Sequence, residues 1–262
     1  MTLYDTHAHL CDSSFDHDLP EVLDRARDAG VAAIVAVGET LEEARLNLEL
    51  SASYPDLIFP AAGLFPTILD LGEARQLADL IRRERNRLVG IGEVGLDHWK
   101  VESEDDRDLQ RQIFALFIDL ALELDLPLNV HSRSAGRKTI ELLLERGAKK
   151  VQLHAFDGRA AKALPGVEAG FYFSVPPSVA RSPQKQKLVQ RLPLSCLLLE
   201  TDSPVLGEVR DQRNEPANVG VGLEAICQIK NLSPGEVAAA IAENTESLYG
   251  GLKPALFASR PA

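Results

Sequence analysis

Short apolar runs alternate with longer amphipathic stretches along most of the chain. Eight apolar runs predict strands near Leu3–Asp5, Val31–Val37, Leu57–Ala62, Leu88–Ile91, Pro127–Val130, Val151–Leu153, Phe171–Val175 and Cys196–Leu199. Nine stretches with helical periodicity predict helices near Leu19–Ala29, Leu41–Ser53, Glu73–Arg85, Arg107–Leu124, Ala135–Arg146, Arg159–Leu164, Pro183–Arg191, Gly222–Lys230 and Ser233–Tyr249. Apolar strands that alternate with helices indicate a parallel sheet whose outer face is covered by those helices.

The number of strand–helix units narrows the fold class. Eight such units are typical of an α/β protein whose sheet closes on itself, so we predict a TIM (β/α)8 barrel. An open, doubly wound sheet is the alternative that the same alternation allows. Because no linker-like change of composition and no repeat interrupts the sequence, we expect residues 1–262 to form a single domain.

Side chains that carry chemistry stand at the ends of the predicted strands. Four of the six histidines and two acidic residues follow strands in this way: His7, His9, Glu93, His131, His154 and Asp202. In a parallel barrel the C-terminal strand ends converge on one face, where catalytic residues lie. We therefore expect these six side chains to meet around one pocket.

The residue types in this set predict a metal site. Residues two apart on a strand point to the same side, so His7 and His9 can reach one ion. Imidazole and carboxylate together suit transition metals such as Zn or Mn better than Ca. Six ligands exceed the need of one tetrahedral ion, whereas two divalent ions that share a carboxylate would use them all. A lone histidine at a strand end is more often a hydrogen-bonded residue than a ligand, so the prediction depends on the whole set.

The amino-acid composition restricts which substrates the protein can bind and in which cellular compartment it is expected. The chain has 28 basic and 39 acidic residues and a net charge of −11, so a phosphate-bearing substrate would need a local positive site. Three cysteines fit neither a disulfide framework nor a zinc ribbon, which favours a reducing compartment. The first residues do not read as a signal peptide, and no apolar run approaches the ~18–20 residues that span a bilayer. We expect a cytoplasmic monomer without membrane contact, with access to the nucleus if the source is a eukaryote.

The strand-end motifs resemble those of the TatD-family metal-dependent deoxyribonucleases, and within that family the TatD domain-containing protein 3 type. The similar segments are DTHAHL (5–10), IGEVGLD (91–97), LPLNVHSRSAGR (126–137), LHAFDGR (153–159), PPSVARSPQKQKLV (176–189), LETDSP (199–204) and RNEPANV (213–219). The resemblance implies a barrel of the metallo-dependent hydrolase type that holds two divalent ions, with Zn, Mg and Mn as the alternatives. The implied ligands form two sets around a bridging carboxylate: His7, His9 and Asp202; His131 and His154; and Glu93 between the sets.

One position departs from the family pattern. Most members carry a histidine in a Gly-Leu-His-Pro motif after the third strand, beside the second metal and the phosphate. This chain has Phe65 at that position, between Leu64 and Pro66. Because phenylalanine can donate neither a hydrogen bond nor a proton, either another residue replaces the histidine or the substrate differs.

Further residues have candidate roles around the predicted metal site. Asp202 is expected to act in catalysis by taking the proton of the nucleophile, and Glu93 by bridging the ions. Glu200, two residues before Asp202, would orient a ligand histidine, with an ion pair inside the barrel as the alternative. Asp97 is expected to hold its loop, and Lys185 to lie on a solvated helix face or against a DNA backbone.

Two arginines are candidate substrate contacts. Arg133 follows His131 by two residues and can fork onto a phosphate, unless it simply faces water. Arg213 lies in the loop after the eighth strand, where loops commonly bind substrate, but a local pair with Glu215 would look the same in sequence.

Three classes of function agree with these features. The first is a divalent-metal-dependent phosphodiester hydrolase that uses a metal-activated water, namely a deoxyribonuclease that trims single strands from an end. The second is an amidohydrolase-like enzyme that hydrolyses an ester, lactone or C–N bond of a small molecule. Members of that superfamily commonly bridge their metals with a modified lysine on the fourth strand, where this chain has Glu93. The third is a binding protein that has lost activity, which only Phe65 supports.

Overall fold

The structure is a computed structural model, and it describes residues 1–250 and Leu252. This part of the chain forms eight strands: β1 (Leu3–Ala8), β2 (Val31–Ala36), β3 (Ile58–Ala62), β4 (Gly90–Gly95), β5 (Leu128–His131), β6 (Val151–Leu153), β7 (Tyr172–Val175) and β8 (Leu197–Leu199). It also forms nine α-helices: α1 (Leu19–Asp28), α2 (Leu41–Ser53), α3 (Leu71–Arg83), α4 (Glu104–Leu124), α5 (Gly136–Glu145), α6 (Ala160–Glu168), α7 (Pro183–Arg191), α8 (Val219–Lys230) and α9 (Pro234–Tyr249). The predicted alternation is confirmed.

The eight strands form one parallel sheet in which their spatial order follows the sequence. The segment after β8 returns to β1, where the backbone N–H of Asp202 donates to the carbonyl of His7 at 2.8 Å. The backbone N–H of His9 donates to the carbonyl of Ser203, also at 2.8 Å. These bonds bring the two sides of the sheet together as a barrel. The prediction of a TIM barrel is therefore confirmed, and the doubly wound alternative is wrong because its strands would not follow the sequence order.

The core lies between the strands and the helices that cover them. Every residue of β8 and all but one of β2 are buried, which is why these strands form continuous apolar runs in the sequence. The helices bury only one face, and α3 does so through five residues at helical spacing: Ala74, Leu77, Ala78, Leu80 and Ile81. Packing of this kind leaves the strand ends open for polar side chains.

Two elements extend furthest beyond their predicted ends, each for a physical reason. Strand β4 ends at Gly95 rather than at Ile91, because its three glycines interrupt the apolar pattern of a strand that pairing with β3 and β5 stabilises. Helix α6 continues through Pro165 to Glu168, although proline removes one helical hydrogen bond. Gly166 of that helix lies close against the rings of Phe171 and Phe173, and this packing outweighs the local signal to stop.

Two expectations about the environment of the protein can be compared with the structure. No helix within residues 1–250 or at Leu252 is both long and apolar enough to cross a bilayer. All three cysteines, Cys11, Cys196 and Cys227, are free thiols, as their number and spacing predicted.

Candidate metal centre

Six side chains meet at the C-terminal end of the barrel, as the positions at the strand ends predicted. They come from three strands, β1, β4 and β5, and from the segments that follow β1, β6 and β8: His7, His9, Glu93, His131, His154 and Asp202. Five of the six are buried, and His9 is partly exposed. Groups of three among the six have ligand atoms close enough to share one ion.

The first donor set consists of His7, His9 and Asp202. The Nε2 atoms of the two histidines lie 3.1 Å apart, and Oδ1 of Asp202 lies 3.4 Å from the first and 3.3 Å from the second. Ligands at ~2.0–2.1 Å from a tetrahedral ion are separated by roughly 3.3–3.4 Å. The three atoms therefore already have the spacing of the corners of a metal site.

The second donor set consists of His131 and His154, and Glu93 lies between the two sets. Its Oε1 atom is 2.6 Å from Nδ1 of His131 and 2.9 Å from Nε2 of His154. Its Oε2 atom turns the other way, 3.5 Å from Nε2 of His9 and 3.7 Å from Nε2 of His7. This Oε2 atom is buried and accepts no hydrogen bond in the described structure, so it offers a free acceptor for a cation.

The electrostatics of the cluster favour cations. Burial alone would raise the pKa of Glu93, but the facing imidazoles of His154 and His131 hold it well below the usual range. Burial lowers the pKa of His9, but the surrounding carboxylates, Asp202 first, raise it to about 9. Glu93 thus stays ionised. The carboxylates raise the pKa of His9, His131 and His154 against the effect of burial, a shift that favours their protonated forms. A divalent metal would take the place of those protons.

Each imidazole of the three buried histidines faces an oxygen on the side away from the cluster. Nδ1 of His7 lies 2.8 Å from Oδ1 of Asn129. The amide nitrogen of Asn129 donates to the carbonyl of Thr6, so its oxygen must accept from Nδ1 of His7. This contact leaves Nε2 of His7 unprotonated and available to a metal. Nε2 of His131 lies 3.1 Å from Oδ2 of Asp97. The other oxygen of Asp97, Oδ1, accepts hydrogen bonds from two backbone N–H groups of its loop, which is what its predicted loop-holding role requires.

Glu200 has the position that a residue orienting His154 would need. It is fully buried, and its Oε2 atom lies 3.7 Å from Nδ1 of His154. The backbone N–H of Ala155 and the hydroxyl of Ser174 donate to its two oxygens, at 2.8 Å and 2.6 Å. Among the described residues no lysine or arginine forms a salt bridge with Glu200, so the alternative of an ion pair inside the barrel would be a pair with His154 itself.

Glu200→Gln is expected to weaken metal binding by about 10- to 100-fold while leaving the barrel folded. Glutamine keeps the shape of the side chain but turns an N–H group towards donors that now lack an acceptor. The dissociation constant for Zn²⁺ or Mn²⁺, measured by competition with a chromophoric chelator, checks this. Ser174→Ala, which removes one donor to the same carboxylate and keeps its charge, serves as the control. An unchanged metal affinity in Glu200→Gln would contradict the positioning role.

Two glycines of β4 allow Glu93 to come this close to its neighbours. A Cβ atom on Gly92 would lie 2.6 Å from the Cβ of Asn129, and one on Gly95 would lie 2.0 Å from the carbonyl oxygen of His131. Gly95 also has a φ of 148°. These two glycines thus serve close packing of β4 against β5.

Asp202 is held on a backbone that few residues adopt. Its φ is 56°, in the left-handed region that favours glycine. The neighbouring Thr201 is fixed by Asp5, whose carboxylate accepts from the Thr201 backbone at 2.8 Å and from its hydroxyl at 2.5 Å. Such backbone strain tends to persist where the surrounding structure fixes a functional side chain.

A pocket of about 530 Å³ opens above the cluster, and we call it the site pocket. Arg133 lines it, where a phosphate contact was expected. Lys185 also lines it and donates to the carbonyl of Ala155 at 2.9 Å, so the expectation that it lies on a solvated helix face is wrong. The stem of Lys185 reaches inwards because α7 begins beside the loop that follows β6.

Arg213 lies outside the residues that line the site pocket. Its guanidinium group forms an ion pair with Asp18 at 2.5 Å and donates to the carbonyl of Ser14 at 2.6 Å. The alternative pair with Glu215 is not formed either, because Glu215 is bound by Arg25 at 2.7 Å. The structure therefore gives no support to a phosphate contact by Arg213, which is already occupied by an acidic partner.

Three pocket or positioning residues were not expected from the sequence. Asn129 orients His7, and the signal was its place two residues before His131, on the same side of β5. Glu39 lines the pocket 3.8 Å from Nδ1 of His9, and burial raises its pKa to about 7. Trp99 stands under Arg133, whose guanidinium carbon is 3.7 Å from the centroid of the indole ring.

The sequence model of the family described as TatD related DNase matches residues 4–250. The chain belongs to the TatD-related DNase family. The deoxyribonuclease TATDN3 of Homo sapiens is 44% identical over 265 residues, a match that covers 96% of each chain. The uncharacterized metal-dependent hydrolase YabD of Bacillus subtilis is 34% identical and covers 94% of this chain and 98% of its own. The crystal structure of YJJV, a TatD homolog from Escherichia coli, superposes with a TM-score of 0.87 at 28% identity, over 95% of this chain and 98% of that one. The resemblance seen in the motifs is thus confirmed.

Proposed function

We propose that this TatD-family chain cleaves phosphodiester bonds of DNA with two divalent metal ions that share Glu93. One observation carries the proposal: the two oxygens of Glu93 face two separate donor sets, one on each side of the carboxylate. The prediction of a metal-dependent hydrolase that acts on ester bonds agrees with the family to which the chain belongs and with its relatives' names.

The residues of the cluster fit such ions in charge, donor type and spacing. On the distances between their ligand atoms, His7, His9 and Asp202 would hold one ion, and His131 and His154 the other. When bound, divalent ions polarise a phosphate oxygen and lower the pKa of a coordinated water to about 7. The charge of two such ions exceeds that of Glu93 and Asp202, which would give the pocket the local positive field that a chain of net charge −11 otherwise lacks.

Other residues of the pocket would bind and orient the substrate. Asp202 reaches the pocket with its carboxylate, and the imidazoles that face it hold its pKa low against the effect of burial, so it stays ionised as a ligand of a cation must. In catalysis the same carboxylate would take the proton of the nucleophile. Arg133 offers a planar, charged donor that matches two oxygens of a phosphate. Lys185 adds a second cation on the wall beside His154.

The direct test is the fate of a single-stranded oligonucleotide labelled at its 3′ or 5′ end, incubated with Mg²⁺, Mn²⁺ or Zn²⁺. A ladder of shortened products that requires the metal is the expected result, and the label that is lost first gives the polarity. A parallel panel of small esters and lactones tests the amidohydrolase-like alternative. Hydrolysis of that panel by metal-loaded protein that leaves DNA intact would overturn the proposal.

Phe65→His is expected to raise kcat/KM for DNA by about tenfold. The ring of Phe65 lies 5.2 Å from that of His131 and lines the site pocket, so histidine there brings a donor to the phosphate. One hydrogen bond to a charged group contributes roughly 1.5 kcal/mol or more, which corresponds to that factor. Phe65→Leu, which changes the shape without adding a donor, is the control and should show no gain. Equal rates for both variants would mean that position 65 does not contact the substrate.

A further inference from the structure

An exposed tryptophan stands beside the site pocket. Trp99 is the only tryptophan in the sequence, and 52% of its surface is exposed. Arg133, which lines the pocket, lies over its ring, and Nζ of Lys100 lies 4.5 Å from the same centroid. Both cations are on long, exposed side chains, so the ring remains accessible from solvent. A flat apolar surface with cations around it is what the bases of a single-stranded nucleic acid bind.

A second cavity, of about 380 Å³, adjoins the site pocket, and we call it the basic cavity. The two share Asp157 as a wall. Four cationic side chains line the basic cavity: Arg137, Lys138, Arg159 and Lys162. Arg137 is paired with Glu141 at 2.8 Å, but the other three form no salt bridge with any residue in 1–250 or with Leu252. In a chain with a net charge of −11, such a local excess of unpaired positive charge marks a place for an anion.

A buried polar atom in the wall of this cavity also lacks a partner. Nε2 of His98, the residue before Trp99, is inaccessible to solvent and has no hydrogen-bond partner in the described structure. Unsatisfied buried polar atoms are rare, and a ligand that enters the cavity is one way to satisfy them.

We propose that the site pocket and the basic cavity hold consecutive nucleotides of one single-stranded DNA chain. A base stacks on Trp99, and the phosphates that follow lie along Lys138, Arg159 and Lys162. A single strand fits because stacking needs an open base face, which neighbouring base pairs cover in a duplex. The inference rests on the proposed function, since it takes DNA to be the substrate.

Stacking can be observed directly, because Trp99 is the only source of tryptophan fluorescence. Chelator-treated protein, which holds no metal and therefore cleaves nothing, is titrated with an octathymidylate and with a chain of equal length and charge that lacks bases. The octathymidylate should quench the fluorescence and bind about tenfold more tightly than the abasic chain, since stacking on one aromatic side chain contributes ~1–3 kcal/mol per base. Equal affinity for the two chains, or binding of neither, would overturn the proposal.

Two substitutions separate stacking from the support that Trp99 gives to Arg133. With binding followed through a dye on the DNA, Trp99→Ala should remove the preference for the base-bearing chain, while Trp99→Phe should keep most of it. If Trp99 acted only by holding Arg133, Trp99→Ala would lower the affinity for the base-bearing chain and for the abasic chain by the same factor. That result would contradict stacking.

The three unpaired cations of the basic cavity, which we call the cationic track, can be tested for contact with phosphates. Lys138, Arg159 and Lys162 are replaced together by alanine, and the control replaces Arg45, Arg75 and Lys149, which are equally exposed and lie outside both cavities. The slope of log Kd against log salt should fall by about two in the first variant, because each phosphate contact of a single strand contributes ~0.7. The control should keep its slope. An identical change of slope in both variants would contradict the binding of phosphates along the cationic track.

The two proposals fail in different ways. Metal-loaded protein that binds the octathymidylate through Trp99 without cutting DNA would refute the proposed function and leave this binding surface in place. Metal-dependent cleavage of DNA, together with equal affinities for the base-bearing and the abasic chain, would refute the proposed binding surface and leave the proposed function in place.

Discussion

Glu93→Gln is expected to lower the rate of DNA cleavage by at least about 10³-fold and to leave the purified protein short of metal. The effect exceeds the ~10- to 100-fold typical of residues that only orient a ligand, because both oxygens of Glu93 face donor atoms. Glutamine has the same shape but only one neutral oxygen, so it cannot serve both donor sets at once. The metal content by elemental analysis and the initial cleavage rate are the two measurements.

Glu39→Gln is the matched control for this substitution. Glu39 lies in the same pocket, but it faces Nδ1 of His9 at 3.8 Å rather than the Nε2 atom that points into the cluster. This control should keep its metal, with at most a few-fold change in rate, because the side chain of Glu39 is 36% exposed to water, whereas that of Glu200, which faces His154 in the same way, is fully buried. Glu93→Gln protein that retains two equivalents of metal and cuts DNA normally would refute the bridging role.

Asp202→Asn is expected to reduce the cleavage rate by about 10³-fold, because it removes a charged group from the catalytic site. It should remove only one of the two metal ions. Oδ1 of Asp202 lies near His7 and His9 and therefore belongs to the first donor set. The second ion would be held by the other set and by Oε1 of Glu93, which faces His131, so its binding should not depend on Asp202. Asparagine tolerates the left-handed backbone at this position better than alanine does, so the fold should be kept.

The control for Asp202→Asn is Asp211→Asn, because Asp211 shares the positive φ, at 61°, but is exposed and outside the site pocket. It should behave as the unmodified protein does. One equivalent of metal in Asp202→Asn, beside two in the control, would match the two donor sets. Loss of both ions, or of neither, would contradict their independence.

The fold could be predicted from the sequence because buried parallel strands leave a simple pattern. β2 and β8, for example, are apolar and buried over nearly their whole lengths, and each lies between two helices. The six cluster residues were predictable for a related reason, since a parallel barrel gathers whatever follows its strands on one face. Glu93 was the hardest of these to place, because glycines interrupt the apolar pattern of β4.

The remaining features depend on contacts that a sequence does not display. Arg213 could not be assigned because its partner, Asp18, is 195 residues away. Lys185 resembles any solvated lysine on a helix until the start of α7 is seen beside the loop after His154. Asn129 is hidden within a strand whose other residues are apolar or already assigned as ligands. Tertiary contact, rather than local pattern, gives these residues their positions.

The most direct test of a two-ion phosphodiesterase is a metal titration of the chelator-treated protein, followed by cleavage of an end-labelled single-stranded oligonucleotide. The protein stripped of metal should be inactive. Activity should return as metal is added and should reach its plateau at two equivalents per chain, the number that the two donor sets around Glu93 would hold. Full activity at one equivalent, or cleavage that persists in the chelator, would contradict the account.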